Sequence, residues 1–392
     1  MIQWVIALII LVICLYLYKN ELQVKTLKSS PISRGKPVIG IVSDWDRKGV
    51  PYQSRFLSKC LSARFNVQIF AYNAYVRDEA DWGYKGLVFT KIVKPWKLIN
   101  WIKKNNIKVV FFPDRLEDER VLDWCKKNKI ATVMIINYET IAKEDFPALK
   151  KYTKLWCPVK CTQGLLKSYG FKNTSFIRWG IDNEMFRPGK INVKYPVRFF
   201  HNAGWGGVEW RKNTQAVVEA FDIATRKNRN INLVIKTQKP LFEYPEHVKK
   251  IVHNNGYIQV IEKDMGLADL IVLYLSCNVS ILPSKWEGIG IPFIESLAMG
   301  HPIITVDAPP MNEWVRDSFN GLCAKVARWQ PRVNRKLLVK GALVDVDGLA
   351  KRILDLSDPN LIKRMSVNAV KSVRKSKKEF SRKALRFTDS LC

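Results

Sequence analysis

The apolar run Val279-Ser280-Ile281-Leu282-Pro283 reads as a short buried strand, and a glycine-broken turn, Ser284-Lys285-Trp286-Glu287-Gly288-Ile289-Gly290, follows it directly. Pro292 suits the first position of a helix through Ser296, Leu297, Ala298 and Met299, with Gly300 and Pro302 as its stop. Gly288 and Gly290 let the backbone approach a ligand, and free N–H groups and the positive dipole end of the helix point the same way. Such a unit attracts anions. Glu287 and Glu295, in an E-x7-E spacing, do not serve a phosphate, but each carboxylate accepts two hydrogen bonds from a diol. A diphosphate between two polyols, as in a nucleotide-sugar, satisfies every group. The spacing alone also describes an ordinary strand–loop–helix with two surface glutamates.

Further apolar runs alternate with helical patterns along the chain. Pro37–Ser43, Val67–Ala71, Ile107–Pro113 and Ala131–Ile136 read as strands, with helices over Tyr52–Arg64, 95–105 and 117–128. A second set follows at Pro196–Phe200, Asn232–Lys236, Tyr257–Ile261 and Ile303–Val306, with a helix from Asn213 to Arg226. This alternation predicts parallel, doubly wound sheets. Ligands in such sheets sit at the C-terminal strand ends. That directs attention to Asp44–Val50, where Gly49 reads as a loop residue, to Asp114-Arg115 and to Asn137-Tyr138-Glu139. The basic tail Lys371–Arg386 reads as one helix, and Asp345-Val346-Asp347 as a loop.

With 392 residues there is room for two domains, and an apolar content of 47% is that of a globular chain. The formal net charge of +30 calls for an anionic partner, whether a membrane surface, a nucleic acid or a phosphorylated substrate. Ile2–Tyr18 carries no charge and is at the short limit for a spanning helix; Lys19, Lys25, Lys28, Arg34 and Lys36 follow it. By the positive-inside rule this is an uncleaved anchor that leaves the bulk of the protein in the cytosol; a cleaved signal peptide is the competing reading. The eight scattered cysteines fit a reducing compartment, and Cys157 and Cys161 lack a second pair or histidines to make a zinc site.

The run from Pro283 to Ile304 closely resembles the donor-site signature of family 4 retaining glycosyltransferases, P-S-x-x-E-G-F-G-x-x-x-x-E-A-M-A-x-G-x-P-V-I. Trp179–Pro188 resembles that family's interdomain segment, and Pro309–Val315 with Asn320-Gly321-Leu322 resembles two further pieces. The resemblance implies the GT-B fold: α/β, two doubly wound Rossmann-like domains, here preceded by an N-terminal transmembrane helix. The implied division is an anchor over 1–18, a linker over 19–36, an acceptor-side domain over 37–188, a donor domain over 189–375, and a C-terminal helix over 376–392 crossing back to the first domain.

The resemblance further implies a membrane-anchored hexosyltransferase using a nucleotide-sugar, a glycan, lipid-linked or phosphorylated acceptor, an anionic membrane surface, no nucleic acid and no metal. Glu287 would orient the sugar as the catalytic carboxylate, and Glu295 would hold the ribose. Gly204, Lys212, Gly288, Ile289 and Gly290 would surround the diphosphate. The family's arginine position is taken by Trp205, which leaves Arg211 or Lys236 to supply the second charge. On the acceptor side stand Gly49, Asn137 and Tyr138, with Asn137-Tyr138-Glu139 where related enzymes carry a histidine. Glu313 is expected to shape its loop, and His201 and His301 to be structural. The alternative, from a different class, is a basic membrane-surface or nucleic-acid-binding protein on a degenerate GT-B fold.

Overall fold

A strand buried on both faces must be apolar along its whole length, and Val109–Pro113 (Val-Val-Phe-Phe-Pro) is such a strand, buried at every position. The computed structural model of the protein describes residues 35–45, 49–72, 87–90, 94–113, 116–189, 193–204, 211–331 and 336–392. In the first domain β1 (Val38–Asp44), α1 (Gly49–Leu61), β2 (Asn66–Tyr72), β3 (Leu87–Thr90), α2 (Pro95–Lys104), β4 (Val109–Pro113) and α3 (Glu119–Lys127) come in that order. They are followed by β5 (Ala131–Ile135), α4 (Phe146–Lys151), β6 (Lys154–Cys157), α5 (Lys160–Ser168) and β7 (Thr174–Phe176). The strands form one parallel sheet in the order β3-β2-β1-β4-β5-β6-β7.

The second domain runs β8 (Val197–Gly204), α6 (Thr214–Thr225), β9 (Ile231–Thr237), α7 (Glu246–Asn254), β10 (Ile258–Glu262), α8 (Leu267–Leu275) and β11 (Val279–Ile281). It continues through α9 (Ile291–Ala298), β12 (Ile303–Val306), α10 (Met311–Trp314), β13 (Gly321–Ala324), β14 (Val326–Gln330), β15 (Gly341–Val344) and α11 (Val346–Asp355). Its parallel sheet has the order β10-β9-β8-β11-β12-β13, with β14 and β15 as a separate antiparallel pair. Both sheets wind outward from a central strand and then reverse, between β1 and β4 in one and between β8 and β11 in the other. Crevices form at those reversals.

The chain closes with α12 (Pro359–Val373) and α13 (Ser376–Asp389). The single tail helix expected over Lys371–Arg386 is therefore two, parted at Arg374 and Lys375, because α13 turns to pack on α1 of the first domain. Phe380 of α13 is fully buried there, stacked on Phe56 at 5.0 Å and tilted against Trp179 at 4.8 Å and Trp156 at 5.7 Å. Beside this aromatic cluster Lys377 meets Asp182 at 3.0 Å and Glu184 at 2.9 Å, and Lys59 of α1 also bonds Asp182. Burial alone would raise the Asp182 carboxyl, yet the hydrogen bonds from Lys59 and Lys377 hold it below its ordinary value.

Two local readings are corrected. Gly49 is not a loop residue but opens α1, which begins three residues earlier than Tyr52; Pro51 fits its first turn, where a missing N–H costs nothing. Val346 and Asp347 lie in α11, with Asp345 at its N-cap, in place of the expected loop. Among the described residues no helix is long and apolar enough to cross a membrane. The anchor read over 1–18 and nearly all of the linker lie outside the described residues, as do Asp114-Arg115 and Trp205.

Truncating Phe380 leaves a hole between three large rings, so Phe380→Ala is expected to cost about 3–5 kcal/mol of stability, read from the urea unfolding midpoint. A loss below about 1 kcal/mol overturns the view that α13 is held to the first domain by this cluster.

Candidate functional site

The loop between β11 and α9 is built backbone first. Gly290 is the N-cap of α9 at φ 83°, in the left-handed region, and its carbonyl accepts from Phe293 N at 3.0 Å. The indole of Trp314 donates to the Ile289 carbonyl at 2.8 Å and pins the turn from α10, leaving Ile289 buried. Gly288 is a close approach: a Cβ there would come within 2.9 Å of Glu139 Oε1 and 3.1 Å of Asn137 Cβ. The turn thus touches the first domain's loop after β5. Any side chain at 288 would wedge the two apart.

Glu287, only 2% exposed, is the hub of this loop. Its Oε1 accepts from Ser284 Oγ at 2.7 Å and from Lys212 Nζ at 2.5 Å, while Arg211 Nη1 bonds its Oε2. Arg211 also reaches Glu139 of the first domain at 3.2 Å, and its carbonyl accepts from Lys285 N at 2.8 Å. Burial by itself would raise the Glu287 carboxyl, but the charges of Arg211 and Lys212 and the hydrogen bonds from Lys212 and Ser284 hold it below its ordinary value. Glu287 is ionised.

Glu295, in α9, has the opposite electrostatics. Burial pushes its carboxyl up to about 7, against the hydrogen bond from Tyr274 and the charges of Lys212 and Lys236. Tyr274 OH lies 3.2 Å from Glu295 Oε2. Lys236, buried near the end of β9, has its ammonium pulled down by burial, with Asp264 and Glu295 acting the other way. Gly204 ends β8 at φ 52°, with Gln238 and Asn202 its neighbours. Lys212, Arg211, Glu287, Gly288, Ile289 and Gly290 are therefore brought together, and Lys236 is coupled to them through Glu295.

On the other side of the crevice, Asn137 is buried and its Oδ1 has no hydrogen-bond partner among the described residues. Tyr138 is half-buried, its phenol pushed up to about 12 by burial with Cys161 and Glu313 adding to the shift. Gly49 has nothing within 4 Å of a Cβ built on it and is not joined to the Glu287 cluster. The carboxylate of Glu313 is spent on the first domain: Oε2 and Oε1 accept from Lys160 N at 2.7 Å and Cys161 N at 2.8 Å, capping α5. Both buried histidines are structural. His201 bonds the Ile281 carbonyl at 2.7 Å and Thr214 at 2.9 Å, His301 bonds Ser280 at 3.0 Å and the Tyr274 carbonyl at 2.9 Å, and burial pulls each imidazole down to about 4.

Two members of the site were not singled out from the sequence, whereas Glu139 was named with its loop but given no role. Ser284 lay within the run that resembles the donor-site signature. Tyr274 carried no signal, being one aromatic in the apolar helix Leu267–Leu275.

Residues 204–339 match the family model described as Glycosyl transferases group 1. Over 178 residues the chain is 28% identical to MMP alpha-(1->4)-mannosyltransferase of Mycolicibacterium hassiacum, a match covering 45% of this chain and 41% of that protein. A glycosyltransferase from Rickettsia africae superposes with a TM-score of 0.71 at 16% identity, over 91% of this chain and 99% of that one. An Anabaena protein solved in complex with UDP and glucose gives 0.68 at 11% identity, over 90% and 100%. The Glu287 loop thus lies within the stretch that matches this family model, in a chain whose two parallel-sheet domains share the GT-B fold of these neighbours.

Proposed function

We propose that the chain is a membrane-anchored retaining glycosyltransferase that passes a hexose-type sugar from a nucleotide-sugar to a glycan, lipid-linked or phosphorylated acceptor. The observation that carries this is the meeting of Glu287, Lys212, Arg211 and the Gly288–Gly290 turn at the β8/β11 reversal. The UDP and glucose held by the Anabaena neighbour support a nucleotide at this fold, and the mannosyltransferase activity of the mycobacterial relative supports a hexose.

In this reading Glu295 holds the ribose. The diphosphate lies on the Gly288–Gly290 turn and the N-terminus of α9, and its charge is met by Lys212, Arg211 and Lys236 with no resident metal. In the ligand-free protein Arg211 and Lys212 neutralise Glu287. The incoming diphosphate competes for those cations and frees the Glu287 oxygens to accept from sugar hydroxyls. The bond from the anomeric carbon to the diphosphate breaks and the acceptor oxygen bonds that carbon on the same face. The acceptor's proton passes to the departing diphosphate. Catalysis then rests on position and on charge stabilisation at the phosphate. Asn137, Tyr138 and Gly49 belong to the acceptor side. Residues 1–18 anchor the chain with both domains in the cytosol, and the charge of +30 suits an anionic bilayer. The domains divide as 37–188, 189–375 and a crossing helix over 376–392.

The deciding experiment is a thermal-shift screen of the full chain against UDP-, GDP-, ADP- and CMP-sugars. One nucleotide class is expected to raise the melting temperature, and Glu295→Ala to abolish the effect. No shift with any of them would favour the degenerate-fold binder. In the transfer assay that follows, Lys212→Ala is expected to lower kcat by about 10²–10³, the loss seen when a transition-state charge partner is removed.

The raised Glu295 carboxyl adds a pH test. Its proton is held more tightly folded than unfolded, so the stability it lends is complete below the ordinary value of 4.5 and is lost as pH rises through about 7. Ribose hydroxyls donating to the carboxylate favour its ionised form. Nucleotide binding at pH 6 is therefore expected to release up to about one proton, measured by calorimetry in buffers of different ionisation enthalpy. Glu295→Gln should remove that release; a release unchanged in the variant sinks the ribose assignment.

A further inference from the structure

A second cavity, of about 520 Å³, lies at the crossing between the domains. Neither Glu287, Glu295, Arg211, Lys212 nor Lys236 lines it. Six cations do: Arg178, Arg316, Lys371, Arg374, Lys375 and Lys383. The acidic residues there are Glu379 and Glu313, and the Glu313 carboxylate already caps α5. Arg178 is turned to the Glu313 carbonyl at 3.0 Å and the Trp314 ring, and Arg316 lies over Phe319. Among the described residues, Lys371, Arg374, Lys375 and Lys383 have no ion-pair partner.

Two observations ask for an acceptor in this cavity. Trp179, 1% exposed, lines it with an indole Nε1 that has no acceptor, although an indole can only donate. The Oγ of Ser376, another lining residue, is likewise buried without a partner. The first turn of the 14-residue α13 opens here too, with Lys375 as its N-cap and no side-chain cap. Arg374 and Lys375 lie between this helix start, whose first turn carries Glu379, and the C-terminal end of α12, which Arg374 caps. The buried indole donor without an acceptor and the lining cations without an ion-pair partner are both satisfied by one bound anion.

We propose that this hinge cavity is a second anion site, taking a small phosphate-bearing polyanion. Its volume suits a short polyphosphate or a sugar phosphate. The bound anion joins Arg178 and Trp179, on the segment entering the second domain, to the start of α13, and so braces the crossing. The inference does not rest on glycosyl transfer, because neither the two glutamates nor the cations of the donor crevice line the cavity.

The test uses calorimetry on the full chain with inorganic tripolyphosphate, and with glycerophosphoglycerol as the soluble counterpart of a lipid headgroup. The variants are Lys375→Gln/Lys383→Gln, Trp179→Phe and, for the donor crevice, Lys212→Gln. Wild-type protein is expected to show a tripolyphosphate site that survives Lys212→Gln. That site should weaken by about tenfold or more in the double lysine variant, the effect of losing a charged hydrogen-bond partner. Trp179→Phe, which keeps an aromatic side chain but removes the indole N–H, should also weaken it. The same pattern with glycerophosphoglycerol alone would assign the site to a headgroup instead of a free phosphate. Unchanged affinity in the double variant for both probes, or loss of all binding in Lys212→Gln, overturns the proposal.

Discussion

A carboxylate taken out of water is tolerated only where opposite charge and hydrogen-bond donors meet it, and Glu287 is met by Arg211, Lys212 and Ser284 at once. That requirement reaches outward in two directions. Arg211 and Lys212 stand at the start of α6 and Glu287 follows β11, so the pairing needs β8 and β11 side by side. A sheet winding in a single direction would not bring those two loops together. Arg211 also extends to Glu139, and Gly288 allows the loop carrying Glu139 to close against the turn. The same charge cluster therefore shapes the crevice and sets one contact between the domains.

Other contacts between the domains divide the work by physical type. Glu313 spends both oxygens on the first N–H groups of α5, a charge-to-dipole contact. Phe380, enclosed by Trp156, Trp179 and Phe56, is a purely apolar one. Asp182, between Lys59 and Lys377, adds a partly buried ion pair. The segment around residue 180 and α13 serve the last two of these contacts, and the basic hinge cavity lies beside them and Glu313.

Within the crevice, two glutamates on consecutive pieces of one βα unit hold different protonation tendencies. Glu287 is surrounded by cations, while Glu295 has a phenol and more distant lysines, so burial prevails for one and loses for the other. One is a standing charge that can be exchanged for another anion. The other is a group that a diol can switch on.

The strand–turn–helix run around Glu287, the parallel character of both sheets and most strand positions were legible from local pattern. An unbroken apolar strand such as Val109–Pro113 and a Gly-Ile-Gly-Ile-Pro turn have few other stable arrangements. Strands such as Thr174–Phe176 and Gly321–Ala324 were not legible, because three or four residues carry little periodicity and are strands only through their neighbours. The break at Arg374-Lys375 escaped for a similar reason: the basic pattern continues through it, and only packing on α1 turns the chain. The residue types of the site, Glu, Lys, Arg and Gly, were determined by the sequence alone, since their chemistry does not depend on where the chain goes. Which cation neutralises Glu287, that Tyr274 and Glu139 join the site, and that Glu295 holds its proton to about 7 were decided by the tertiary structure. Burial and the distance between charges exist only once distant segments meet.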